Sequence, residues 1–105
     1  MNLPDYQTKV AYFVSAYNLN APPAARLLDL LSELGEVAKE TLKASDYGKA
    51  QFQPTQQWVD ELGDAFFSLL DLANQTGVNL ETTLEATLSK YAARMEARGD
   101  AGSGR

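Results

Sequence analysis

"LLSELGEVAKE" (residues 30–40) and "DELGDAFFSLL" (residues 60–70) each contain an acidic tetrad, ELGE at 33–36 and ELGD at 61–64. Both stretches space their apolar residues by three and four, the period of an α-helix with one buried face. Each also places a glycine inside the helix, which costs roughly 1 kcal/mol relative to alanine. Each sets two carboxylates three residues apart, where like charges repel. A pattern that is unfavourable in two ways and written twice requires something that compensates.

Working outward, the first stretch belongs to a helix from about Ala24 to Ala44, striped by Leu27, Leu30, Leu31, Leu34, Val37, Ala38 and Thr41. "SDYGKAQFQP" (45–54) ends it as a loop, and Thr55 caps the next helix. That helix carries Trp58, Val59, Leu62, Ala65, Phe66, Leu69, Leu72 and Ala73 as far as Gly77. Upstream, Val10, Ala11, Phe13, Val14 and Tyr17 mark a helix from about Pro4 to Tyr17, which Pro22 and Pro23 keep from continuing. Downstream, Asn79 caps a last helix with Leu80, Leu84, Leu88, Tyr91, Ala92 and Met95 on one side, ending at Gly99. No alternating strand pattern competes. The expectation is an all-α four-helix bundle forming one domain over residues 1–99, with a frayed tail at 100–105. Leu30, Leu34, Val37, Leu62, Phe66 and Leu69 are its expected core.

Composition narrows the chemistry. A chain of 105 residues with 45% hydrophobic and 22% charged residues fits one ordinary domain. A net charge of -5 argues against nucleic acid as a partner, since phosphate backbones need a basic footprint. With neither cysteine nor histidine, thiolate and imidazole ligands and histidine bases are excluded. The N-terminus lacks a basic and then apolar leader, and no run approaches ~18 apolar residues, so a cytoplasmic protein without a membrane span is expected.

The acidity is concentrated on the two middle helices. On a wheel advancing about 100° per residue, Asp29, Glu33, Glu36 and Glu40 share an arc of roughly 60°, with Lys39 and Lys43 outside it. The next helix repeats the motif with Glu61 and Asp64, with Asp60 and Asp71 on the same polar side. One such pair is usually solvated surface. Two pairs, facing each other if the helices pack antiparallel, would repel strongly without a cation and would form a ligand set with one. All-oxygen donors suit Mg²⁺ best. Gly35 and Gly63 stand at matching places beside the carboxylates, as expected where a backbone or ligand comes close.

"LLSELGEVAKE" followed by "DELGDAFFSLLDLANQTGVNLETTL" (60–84) resembles the MazG-like all-α nucleotide pyrophosphohydrolases, with ExxE on one helix and ExxD on the next. The resemblance covers roughly Leu27 to Met95 and implies the all-α NTP pyrophosphatase fold, assembled as homodimers or homotetramers with the site near a subunit interface. An apolar residue such as Phe67, expected to be exposed on the acidic side of its helix, fits such assembly. By resemblance, Glu33, Glu36, Glu61 and Asp64 would hold Mg²⁺, with Mn²⁺ as a substitute. Many members carry a further glutamate before the first ligand; here that position is Ser32. Glu40 is the first candidate for the general base, with Asp60 the other carboxylate in reach of the role. Lys90 and Arg94 stand where the family has a phosphate-binding basic pair, and Lys49 would assist them. Trp58, with Phe13 as the other candidate, would stack on the base. The implied reaction is hydrolysis of a nucleoside triphosphate to monophosphate and pyrophosphate. Pyrimidine deoxynucleotide or phosphoribosyl-ATP hydrolysis and a non-catalytic acidic interaction module are the alternatives.

Overall fold

Why each helix begins where it does is visible in its caps. The computed structural model describes residues 1–99 and contains α1 (Leu3–Ala16), α2 (Pro23–Ala44), α3 (Gln56–Gln75) and α4 (Leu80–Arg98). Among the described residues there is no strand, and the expected tail at 100–105 lies outside them. α1 starts one residue earlier than expected because Asn2 closes a capping box. Its Oδ1 accepts from the Asp5 N–H at 2.9 Å, and Asp5 Oδ2 accepts from the Asn2 N–H at 3.0 Å. Thr55 caps α3 by accepting from the Trp58 N–H at 3.1 Å. Asn79 caps α4 by accepting from Glu81 and Thr82. α2 has no side-chain cap; it opens on Pro23, where a missing N–H leaves no intrahelical bond unmade. α4 stops at Gly99, whose φ of 79° is the left-handed conformation glycine adopts without a Cβ penalty.

α2 and α3 form an antiparallel hairpin, as three cross-helix pairs show. Arg26 meets Asp71, Glu33 meets Ser68 and Thr41 meets Trp58, so the register descends on α3 as it rises on α2. α1 lies on α3 through Val14 and through Phe13, whose ring meets Phe67 edge-on at 6.0 Å between centroids. Gln7 knots three elements together. Its Nε2 donates to Val78 O at 2.8 Å and to Asn74 Oδ1 at 3.3 Å, its Oε1 accepts from the Leu80 N–H at 2.9 Å, and its carbonyl accepts from Asn74 Nδ2. The first turn of α4 is thereby fastened to α1 and α3.

The expected core requires correction. Leu34, Leu62, Phe66 and Leu69 are 47%, 44%, 48% and 38% exposed, and Leu30 and Val37 are half-buried. The buried apolar side chains among the described residues are Val14, Ala65, Leu70 and Ala73. The reason is that a helical hairpin has two faces, and α1 covers only one. The other is an open apolar groove of about 720 Å³, lined by Leu30, Leu34, Val59, Leu62, Phe66 and Leu69 among others. α4 does not close it, because α4 packs against α1; its own stripe of Leu84, Leu88, Tyr91 and Met95 is exposed as well. The radius of gyration, 16.7 Å, exceeds the roughly 13 Å of a compact chain of this length. Phe67 departs the other way: it is half-buried between Phe13 and the Arg26 guanidinium. No described helix is long and apolar enough to cross a membrane.

Candidate active site

The hairpin sets Glu33, Glu36 and Glu40 of α2 opposite Glu61 and Asp64 of α3. Their convergence registers on Glu61, whose carboxyl is raised above its ordinary value of 4.5 by desolvation and then by the charges of Asp64, Glu36, Glu40 and Glu33. All five groups are therefore near enough to act on one point. Among the described residues, no three acidic side chains are drawn into a single ligand cluster. That spread is the arrangement like-charge repulsion favours.

The raised carboxyl has a consequence for the metal-free protein. A carboxyl whose folded value lies above its unfolded one binds more protons when folded, so stability falls as pH rises from 4.5 through the folded value. In melts with EDTA between about pH 4 and 7, the advantage of Glu61→Gln over wild type is expected to grow with pH. A difference in melting temperature that does not change with pH would contradict this.

Other acidic residues have separate partners. Asp71, expected on the polar side of α3 with Glu61 and Asp64, is 1% exposed and accepts from Arg26 Nε at 2.6 Å. Arg26 also donates to Leu19 O at 3.0 Å and lies 3.4 Å from Asp29, so Asp29 too is engaged away from the cluster. Asp60 is exposed and accepts from Gln56 Nε2. Glu40 is buried, with Lys43 Nζ 3.5 Å from its Oε2.

The substrate-binding candidates are dispersed. Trp58 donates its indole N–H to Thr41 Oγ1 at 2.8 Å and meets Phe52 edge-on at 5.3 Å, a brace between α2, α3 and the loop joining them. Lys49 is exposed in that loop, and Phe13 is exposed on α1. Lys90 and Arg94 flank the Tyr91 ring at 5.5 and 5.9 Å, on a helix that packs against α1 rather than the acidic hairpin. The two internal glycines are not explained within one chain: a Cβ at Gly35 or Gly63 would meet nothing within 4 Å. Gly63 does line the open groove.

Sequence reasoning missed Ser68. It is completely buried, and its hydroxyl donates to Glu33 Oε1 at 2.7 Å. The available signal was positional, since residues 61, 64 and 68 fall on one helical face.

Residues 22–99 match the model of the MazG nucleotide pyrophosphohydrolase domain. The fold is similar to the crystal structure of YPJD from Bacillus subtilis, itself a candidate pyrophosphatase. The two share 27% identity with a TM-score of 0.74, over 90% of this chain and 96% of that one. No curated protein gives a significant match. Fold and domain together define a hydrolase of nucleotide pyrophosphate bonds. The chain belongs to the MazG nucleotide pyrophosphohydrolase family, whose members generally depend on a divalent metal.

Proposed function

We infer that the chain is a Mg²⁺-dependent nucleoside triphosphate pyrophosphohydrolase, cleaving between the α and β phosphates and serving to clean the cytoplasmic nucleotide pool. The observation that carries this is the convergence of Glu33, Glu36, Glu40 and Asp64 on Glu61, within a chain of this family. The donor set fits the ion: Glu33, Glu36, Glu61 and Asp64 offer only oxygens, and their mutual repulsion is what a divalent charge relieves. Mn²⁺ would serve as a substitute. When bound, the ion supplies charge neutralisation for the triphosphate and acidification of a water.

The chain's own residues do the remainder. Glu40, buried beside the ligands, takes the proton from the water that attacks the α-phosphorus. Lys43, with its Nζ 3.5 Å from Oε2, helps hold the Glu40 side chain in place. The bond to the bridging oxygen breaks and pyrophosphate leaves, with Lys49 binding phosphate oxygens and Lys90 and Arg94, whose helix packs against α1 rather than this chain's hairpin, joining it from a second copy. Trp58, braced by Thr41 and Phe52, offers the base a rigid aromatic wall.

Pyrophosphate release from a panel of canonical and modified nucleoside triphosphates, with Mg²⁺ and with excess EDTA, tests the reaction. Metal-dependent formation of monophosphate and pyrophosphate is the expected result, and the panel separates a broad enzyme from one restricted to pyrimidine deoxynucleotides or phosphoribosyl-ATP. Phosphate instead of pyrophosphate would overturn the assignment.

The same reading includes a homodimer or homotetramer. An apolar groove and an apolar stripe on α4, both uncovered in one chain, are surfaces that a second copy would bury. Phe66→Glu, which sets a charge in the groove, is expected to shift the protein to monomer in light scattering. An unchanged mass would exclude the groove from the interface.

A further inference from the structure

Ser68 lies one turn beyond Asp64 on the acidic face of α3, yet it is 0% exposed. A helical serine ordinarily points to water or bonds back to the carbonyl four residues earlier. Here the hydroxyl instead reaches across to α2 and donates to Glu33 Oε1 at 2.7 Å, the short distance of a charge-assisted bond. Glu33 is half-buried, so its carboxylate has few alternative positions once one oxygen is held.

We propose that Ser68 is a positioning residue for the metal site, holding the Glu33 carboxylate in one orientation through Oε1 so that Oε2 is presented to the divalent cation. This rests on the reading of Glu33 as a metal ligand. Without the bond, Glu33 would have to be fixed by the ion itself, and the ordering of a flexible glutamate would weaken binding. A hydrogen bond to a ligating group commonly changes metal affinity by about 10- to 100-fold.

The test is Mn²⁺ binding to the nucleotide-free protein, followed by the spectroscopic signal of free Mn²⁺, for wild type, Ser68→Ala, Ser68→Cys and Glu33→Gln. Ser68→Ala is expected to weaken Mn²⁺ binding by about tenfold or more while keeping a cooperative melt. Ser68→Cys, which keeps the shape with a poorer donor, is expected to lose affinity too and supplies the measurement if the alanine variant does not fold. Raising the Mn²⁺ concentration should restore most of the turnover of either variant, which separates lost metal affinity from lost chemistry. If Glu33→Gln abolishes binding while both folded Ser68 variants bind within about twofold of wild type, the role of Ser68 falls and the ligand set stands. If Glu33→Gln binds as wild type does, the ligand assignment of Glu33 and the role of Ser68 fall together.

Discussion

Glu36→Gln is expected to reduce pyrophosphate release by about a hundredfold or more, because the proposed metal site would supply several kcal/mol of charge stabilisation and each ~1.4 kcal/mol is a factor of ten. The substitution keeps the shape of the side chain and removes its charge. Glu36 is exposed on α2 and is one of the charges acting on Glu61, so its loss relieves repulsion in the metal-free protein. The fold should survive with an unchanged helical spectrum, and melting temperature in EDTA should not fall. A loss of turnover below about tenfold would remove Glu36 from the ligand set.

Asp71→Ala should produce the largest loss of stability. Asp71 is 1% exposed and the Arg26 side chain that meets it at 2.6 Å is itself buried, so the alanine removes the buried counter-charge and leaves Arg26 only the more exposed Asp29, 3.4 Å from its Nη1. Breaking such a pair from one side costs about 3–5 kcal/mol, out of the 5–15 kcal/mol typical of a whole domain. The effect spreads because Arg26 also holds Leu19 O and lies 5.7 Å from the Phe67 ring, which in turn meets Phe13 of α1. The double substitution Arg26→Met with Asp71→Leu should recover much of the loss, since both charges are then gone. Urea midpoints of the single and double variants decide it. A single variant within about 1 kcal/mol of wild type would show that the pair is open to water in solution.

The helices were legible in the sequence because their ends carry local chemistry. Thr55 and Asn79 are caps whose partners lie two or three residues away, and Pro22 with Pro23 separates α1 from α2 without reference to anything distant. The acidic pairing was legible because the hairpin register follows from two helices joined by a short loop. Asp71 was misplaced because the residue that defines its environment, Arg26, is 45 positions away. Ser68 was passed over because a helix-interior serine has no distinctive local pattern. The core was overassigned for a physical reason: a stripe left uncovered along the open groove and a stripe that faces the chain's own interior have the same period and composition.

The Gln7 knot has a mechanical consequence. α4 is 19 residues long, about 28 Å of helix at 1.5 Å per residue, and Gln7 grips only its first turn. A 10° change of angle at that grip would sweep the far end of a 28 Å arm through about 5 Å. Lys90 and Arg94 ride on the outer half of that arm. Where the Lys90 and Arg94 charges stand is therefore set in part by a glutamine that touches neither of them, and a substitution at Gln7 would move both charges together rather than remove either one.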